Sequence, residues 1–141
     1  SKYGVRTVEK GSETISEVEV WGSGAPMREF LWSEEMADAC VFIMENVDFN
    51  DLIQHQGSSI QHPVRNTHIN IGTGKEISIK ALAELIRETT GFRGKLVFNT
   101  SKPDGTLRKL TDVSKLHKLG WHHKIEIEEG IRKIYDWYIR S

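Results

Sequence analysis

Apolar and acidic side chains alternate before the first glycine-rich stretch of the chain. Ile15, Val18 and Val20 are apolar positions around Glu17 and Glu19, and the last of these residues alternate regularly. Alternation with a period of two residues is typical of a strand that buries one face. The pattern therefore predicts a strand that leads into a glycine-rich turn.

The stretch after this turn has helical spacing. Ser33 is a typical N-cap residue, and Glu34 and Glu35 follow where carboxylates complement the positive end of a helix dipole. One apolar stripe then runs along the predicted helix: Met36, Cys40, Ile43 and Val47. Because Cys40 lies on that stripe, we expect its thiol to be a buried core group and not a nucleophile.

The middle of the chain is polar, and its periodicity fades. Gly57 and Pro63 interrupt residues 46–66, which we expect to form a long, mobile loop. Residues 68–71 are then predicted to form a short strand that ends in the glycine turn at residues 72–74.

Regular patterns return in the second half of the chain. Ser78 is the predicted N-cap of a helix that ends at Gly91, and residues 95–98 are predicted to form a strand. Asp112 is the predicted cap of a short helix, and a final helix starts near Ile127. That helix is predicted to bury Ile127, Ile131, Ile134, Tyr135 and Tyr138. Three aromatic residues are also expected in the core or as caps: Trp121, Trp137 and Tyr138. Because strands and helices interleave, the predicted class is α/β, or α+β-like, with a small sheet and packed helices.

Composition is that of an ordinary globular protein. The chain has 141 residues, of which 38% are hydrophobic and 28% charged, enough for one domain with its own core. The 19 basic and 20 acidic residues leave a net charge of −1. Such a balance gives no long-range field that would attract nucleic acid or an anionic membrane, so any anion site must be local.

The single cysteine excludes an intrachain disulfide and fits a reducing, cytoplasmic environment. No apolar run approaches the roughly 20 residues that span a bilayer. The sequence starts without a methionine and has no long N-terminal βαβ pattern. We therefore expect it to be a piece of a larger protein.

Residues 21–31, WGSGAPMREFL, carry the first candidate chemistry. Trp21 offers a flat apolar face for a sugar or a base, and the glycines beside Ser23 let the backbone approach a ligand closely. Pro26 then fixes φ, and Arg28 follows with a planar fork of donors that matches a diphosphate. The same residues also fit a plain glycine turn with a surface arginine and a half-buried tryptophan.

A second candidate lies in the turn at residues 101–105 and the two cations that follow it. Lys102 precedes a Pro-Asp-Gly turn that contains Asp104, and Arg108 and Lys109 come three and four residues after its glycine. Backbone amides and basic side chains in this order can converge on an anion. A plain turn followed by solvated charges is the alternative.

Three segments together resemble a known enzyme family. Residues 21–39 (WGSGAPMREFLWSEEMADA), 68–74 (HINIGTG) and 101–121 (SKPDGTLRKLTDVSKLHKLGW) are similar, in this order, to the C-terminal part of the GDP-L-fucose synthases. These enzymes are NADP-dependent epimerase/reductases of the extended short-chain dehydrogenase/reductase superfamily. The resemblance implies a substrate-binding domain over residues 18–141, with residues 1–17 unassigned and with the N-terminal, NADP-binding Rossmann domain outside this sequence.

The resemblance also implies which residues bind the substrate. In similar enzymes a GDP-sugar is held by residues that match Trp21, Arg28 and Lys109, with Asp104 and Arg108 beside them. It implies a homodimeric parent protein that converts GDP-4-keto-6-deoxy-D-mannose to GDP-L-fucose. Two alternatives remain: the substrate domain of another sugar-nucleotide epimerase or dehydratase, and a non-catalytic interaction domain.

Several kinds of chemistry lack their residues in this sequence. Neither glycine pair completes a dinucleotide fingerprint, because Met27 and Ile77 stand where the third glycine belongs. The superfamily's catalytic tyrosine precedes a lysine by four residues, whereas Tyr3 precedes Thr7 and Tyr135 precedes Ile139. The six histidines lack a metal-ligand spacing and are expected at the surface or in packing. We therefore assign no catalytic or metal-binding residue and expect the chain alone to be inactive.

Overall fold

The computed structural model describes residues 5–10, 13–53 and 67–141. Its elements, in chain order, are β1 (Val5–Lys10), β2 (Glu13–Trp21), β3 (Met27–Arg28), α1 (Ser33–Asn46), α2 (Phe49–Ile53), β4 (Ile77–Ser78), α3 (Ile79–Thr90), β5 (Lys95–Asn99), α4 (Ser114–Lys118) and α5 (Ile127–Arg140). Short strands interleave with helices, so the predicted α/β class with a small sheet and packed helices is confirmed. The segment 1–17 contains β1 and the start of β2.

The larger sheet has the strand order β1-β2-β5. β1 and β2 form an antiparallel pair, in which Val5 lies opposite Val18. β5 runs parallel to β2, and Trp21 at the end of β2 lies opposite Asn99 at the end of β5. The carboxyl ends of both strands therefore lie at one edge, so the segments that follow them lie side by side.

A second, two-stranded sheet sets the position of Arg28. β3 and β4 are antiparallel, with Met27 opposite Ser78 and Arg28 opposite Ile77. β4 continues directly into α3, and the side chain of Ser78 accepts a hydrogen bond from the N–H of Ala81 at 3.0 Å. The predicted cap and the predicted helix end, with Gly91 in the left-handed conformation (φ 66°), are both confirmed.

The core lies between α1, α4 and the loop that follows α4. Ala39, Leu116 and Trp121 are buried there, which confirms the core position predicted for Trp121. The indole Nε1 of Trp121 donates to the Asp38 carboxylate at 2.8 Å, so its polar edge is satisfied. The surrounding, partly buried side chains are Leu31, Phe42, Ile43, Ile69 and Ile71.

The predicted inner face of α1 is wrong by about one position around the helix. Cys40 is exposed, and Ala39 takes the buried position beside it. Glu35 also lies on this inner face, where its Oε1 accepts hydrogen bonds from the N–H groups of Lys124 and Ile125. It is in the first turn of α1, as predicted for a carboxylate that complements the helix dipole, but its side chain points inward and not to the surface.

The residues that begin the two helices α1 and α4 also differ from the prediction. Trp32, in an extended conformation, is the N-cap of α1 in place of Ser33. Val113 is the N-cap of α4, although the Asp112 carboxylate still accepts the N–H of Ser114 at 3.0 Å. Asp112 thus makes a capping bond from one residue earlier.

Two predictions for the middle of the chain are wrong where the structure describes it. Residues 49–53 of the expected loop 46–66 form α2, and residues 54–66 lie outside the described residues. Residues 68–71 are irregular and not a strand. Side-chain hydrogen bonds attach this segment to the start of α4: Lys115 donates to the carbonyl of His68 at 2.8 Å, and the Asn70 side chain donates to the carbonyl of Asp112 at 3.0 Å.

The apolar face of α5 is only partly covered. Ile127, Ile131 and Tyr135 are half-buried, and the Tyr135 hydroxyl approaches the Thr90 carbonyl at the end of α3. The side chains predicted as buried but exposed in the structure are Ile134, Trp137 and Tyr138. The helical spacing of these residues was predicted correctly. They are exposed because α3 packs against only one side of the apolar face of α5. Within the described ranges, no helix is both long enough and apolar enough to cross a membrane.

Candidate functional site

The two candidate segments meet at the carboxyl edge of β2 and β5. The N–H groups of Gly22 and Lys102 both donate to the carbonyl of Asn99, at 3.0 and 3.1 Å. Further along, the N–H of Met27 donates to the carbonyl of Leu107 at 2.8 Å. Parallel pairing of the strands thus brings together two segments that are about 80 residues apart in the sequence.

Asp104 fastens the glycine turn of the first segment. Its Oδ1 accepts the N–H of Ser23 at 2.8 Å, and its Oδ2 accepts the Ser23 hydroxyl at 2.6 Å. These two bonds hold the pKa of the Asp104 carboxyl below its usual value, so it stays ionised. Gly22 has φ 86° and lies against this carboxylate, where a Cβ would collide. Asp104 is thus placed at the candidate site, with its carboxylate engaged by the protein itself.

Trp21 presents an open aromatic face at the end of β2. Its side chain is 70% exposed, while its Nε1 donates to Glu19 at 3.1 Å and so fixes the ring. The Lys102 ammonium lies 5.2 Å from the ring centroid, within cation–π range. A fixed, exposed indole is suited to stack on a planar ligand, and the ammonium beside it can meet an anionic group of the same ligand.

Arg28 is attached to the loop that carries the second candidate cations. Its Nη1 donates to the carbonyls of Met27 at 2.6 Å and Thr106 at 2.7 Å. Gly105 lies beside the other terminal nitrogen: a Cβ there would be 3.1 Å from Nη2. The two bonds described for this guanidinium both use Nη1, so its remaining N–H groups can serve an anion.

A cavity of about 240 Å³ opens beside Arg28. Its lining combines cationic, acidic and apolar side chains from β3, β4, the residues next to these two strands, and the start of α5: Arg28, Phe30, Lys75, Glu76, Ile77 and Ile127. A cavity with a few fixed polar groups on an apolar wall is the usual form of a small-ligand site.

The neighbouring cations Arg108 and Lys109 occupy different surroundings. The Arg108 Nε pairs with Glu76 at 2.7 Å, and the Glu76 side chain is largely buried. Lys109 is exposed. Arg108 therefore attaches the loop to the residue that precedes β4, whereas Lys109 is exposed to solvent.

Glu29 was missed by sequence reasoning. Its Oε1 accepts the N–H groups of Thr73 and Gly74 at 2.6 and 2.7 Å, and its Oε2 accepts the N–H of Thr111 at 3.0 Å. Desolvation raises the pKa of Glu29, but the hydrogen bonds from Thr111, Gly74 and Thr73 outweigh it and leave the pKa below its usual value. The sequence feature that could have indicated this role is the 72–74 turn, because consecutive N–H groups in such a turn form a concavity that binds a carboxylate.

A histidine cluster lies outside this site, at the end of α4. The rings of His117 and His122 stack with centroids 4.2 Å apart. Burial lowers the pKa of His117, and the neighbouring His122 and His123 lower it further. Within the described ranges, no group of three or more His, Cys, Asp or Glu side chains is arranged to hold a metal ion.

The free energy of unfolding is expected to fall as the pH drops below 6.5, the ordinary imidazole pKa. His117 has a lowered pKa in the folded state, so the unfolded state takes up its proton first and acid favours unfolding. The expected loss is absent well above 6.5 and grows as the pH falls toward the folded-state pKa. Urea unfolding between about pH 7.5 and 5.5 measures it, a window above the carboxylate titrations.

His117→Phe should flatten this part of the pH profile, because it removes the titrating group and keeps a ring at the stack. His68→Phe is the matched control, since the side chain of His68 is exposed. Equal slopes for the wild type and His117→Phe would contradict the assignment.

Comparison with known proteins identifies the class. The model of the NAD dependent epimerase/dehydratase family matches residues 2–72, and the chain belongs to that family.

Particular relatives narrow the resemblance. The chain is 47% identical to a putative GDP-L-fucose synthase 2 from Arabidopsis thaliana, over 94% of this chain and 36% of that protein. Among solved structures it is similar to a GDP-6-OMe-4-keto-L-xylo-heptose reductase from C. jejuni, with 49% identity, a TM-score of 0.78, and coverage of 88% of this chain and 34% of that one. It is also similar to a GDP-mannoheptose C4 reductase from Campylobacter jejuni with NADP bound. The identity is 47% and the TM-score 0.72, and the match covers 87% of this chain and 35% of that one. The resemblance to the GDP-L-fucose synthases is thus confirmed, and the chain spans about a third of the length of these relatives.

Proposed function

We propose that this chain is the substrate-binding portion, over residues 18–141, of an NADP-dependent enzyme that converts GDP-4-keto-6-deoxy-D-mannose to GDP-L-fucose. The observation that carries the proposal is the attachment of Arg28 to Thr106, in the loop that bears Lys109. This bond brings β3, which carries Arg28, next to the loop that carries Lys109. The relative from Arabidopsis thaliana supports the choice of substrate by its name.

In this proposal Arg28 and Lys109 bind the diphosphate, and Trp21 packs on the base or sugar. The planar guanidinium offers paired donors to phosphate oxygens, and the lysine adds a mobile point charge. Arg108 and Asp104 act by holding the loop and the glycine turn around the ligand. Binding energy from the diphosphate then positions the sugar ketone for reduction.

The dinucleotide does not fit the glycine turns described in this chain. The amide of Ser23 is taken by the Asp104 carboxylate, and the amides of Thr73 and Gly74 are taken by Glu29. We therefore place the NADP site, the hydride transfer and the catalytic tyrosine–lysine pair on a Rossmann domain outside this sequence. The parent protein is proposed to be a cytoplasmic homodimer.

A second candidate substrate is a GDP-heptose 4-ketone. The two Campylobacter structures are 49% and 47% identical to this chain, about as similar as the Arabidopsis protein at 47%, and they are named as GDP-heptose reductases. The candidates share the GDP moiety and the ketone at C4 and differ in the sugar. The diphosphate site proposed here serves either one.

NADPH oxidation by the intact protein tests the proposed function. We expect turnover with GDP-4-keto-6-deoxy-D-mannose and release of GDP-L-fucose, and no turnover with the matched UDP-sugar. Turnover with only the heptose 4-ketone would replace the first substrate by the second. The chain expressed alone should show no turnover, because it has no tyrosine–lysine pair. Absence of both turnover and GDP binding in the intact protein would indicate a non-catalytic interaction domain.

A further inference from the structure

We propose that Glu29 is a positioning residue that sets Lys109 opposite Arg28 for the diphosphate, and that residue 72 is a glycine to make room for the Glu29 carboxylate. The inference rests on the function proposed above and deepens it. It concerns the partly buried Glu29 carboxylate, which accepts backbone N–H groups from two other segments of the chain.

The Glu29 carboxylate joins three separate parts of the chain. Glu29 follows Arg28 directly, at the end of β3. One carboxylate oxygen accepts the consecutive N–H groups of the 72–74 turn, at 2.6 and 2.7 Å. The other accepts the N–H of Thr111 at 3.0 Å, and Thr111 lies two residues after Lys109. A single ionised group therefore connects the backbone of Arg28 with the backbone that carries Lys109.

The basic loop, residues 106–111, is attached to the rest of the protein at several points, and this connection holds its last residue. The carbonyls of Thr106 and Leu107 hold the start of the loop through Arg28 Nη1 and the N–H of Met27. The bond from Thr111 to Glu29 holds its end. Without it, the loop stays attached at residues 106–107 and through the Arg108–Glu76 ion pair, but residues 109–111 gain freedom. The ligand would then have to order that segment when it binds, and this entropic cost would weaken binding.

Gly72 provides independent support from steric fit. A Cβ built on Gly72 would lie 2.5 Å from Glu29 Oε1 and 3.0 Å from its Cδ, closer than nonbonded atoms approach. Gly72 is not one of the glycines with positive φ, so its backbone would accept another residue. The close approach of Glu29 is therefore the reason for a glycine at this position.

Four variants of the intact protein test the inference by titration with GDP. Glu29→Gln keeps the shape but puts an NH₂ group against backbone donors, and Gly72→Ala displaces the unaltered carboxylate. Each should weaken GDP binding about tenfold, the scale of one hydrogen bond to a charged group. In the Glu29→Ala background, a second change of Gly72→Ala should cost nothing further, because the group it collides with is gone. Glu34→Gln, a change in an exposed carboxylate, is the control.

Two further readings separate positioning from a purely structural role. NADPH affinity should stay at the wild-type value in Glu29→Gln, and KM for the GDP-sugar should rise more than kcat falls. Wild-type GDP affinity in Glu29→Gln and Gly72→Ala, with or without a lower melting temperature, would overturn the inference. If the wild type then still binds GDP and Arg28→Ala does not, only the role of Glu29 is overturned and the proposed function stands. A wild type that does not bind GDP would overturn the proposed function as well.

Discussion

Arg28→Ala should weaken GDP-sugar binding to the intact protein by about 1.5–3 kcal/mol, the usual contribution of a hydrogen bond to a charged group. Nη1 is held by the carbonyls of Met27 and Thr106, so the remaining donors are aimed before the ligand arrives. Arg28→Lys should recover only part of the loss, since an ammonium cannot donate in a fork. Calorimetric titration with GDP measures both effects.

The matched control is Arg93→Ala. Arg93 is exposed and precedes the amino end of β5, whereas the basic loop follows the carboxyl end of that strand. It should leave the GDP affinity unchanged. Wild-type affinity in Arg28→Ala would remove this arginine from the binding site.

Leu116→Ala should lower the free energy of unfolding by about 2–5 kcal/mol, the range for a leucine removed from a closed core. Leu116 has no exposed surface and packs with Ala39 and Trp121. The alanine leaves a cavity that rigid neighbours on α1 cannot fill. Urea unfolding monitored by tryptophan fluorescence gives the value.

Met44→Ala is the control for this core variant. Met44 lies on α1 with 84% of its surface exposed, so the change should stay within about 0.5 kcal/mol of the wild type. A loss below about 1 kcal/mol for Leu116→Ala would show that the side chains around it collapse into the space or that this core is loosely packed.

Local patterns were sufficient where one element determines its own form. The alternation around Val18 predicted β2, and the signals at Ser78 and Gly91 predicted both ends of α3. A side-chain oxygen that binds a nearby N–H, and a glycine in the left-handed conformation, act within a few residues. Such features can be predicted without knowledge of the rest of the molecule.

Prediction failed where a distant backbone decides the position of a polar side chain. Glu35 points inward, where it accepts the N–H groups of Lys124 and Ile125, about 90 residues away, and Cys40 lies outside. Glu29 is likewise held by residues 44 and 82 positions further along. Hydrophobic periodicity assigns acidic residues to the surface and contains no information on such partners.

The motifs predicted candidate residues for the site, but not which of their side chains the protein itself engages. The motifs indicated Trp21, Arg28 and Lys109, and the structure keeps Trp21 and Lys109 exposed. In the structure Asp104 accepts a hydrogen bond from Ser23, and Arg108 forms an ion pair with Glu76. Which cation is paired within the protein depends on the strand pairing β3-β4, which places Glu76 beside this loop and is not visible in either motif alone.

A crystal structure of the intact protein with GDP tests the diphosphate site most directly. We predict diphosphate oxygens within hydrogen-bond distance of the Arg28 guanidinium and the Lys109 ammonium, with Trp21 packed on the ligand. GDP bound elsewhere on the protein, with neither cation in contact with a phosphate oxygen, would contradict the account.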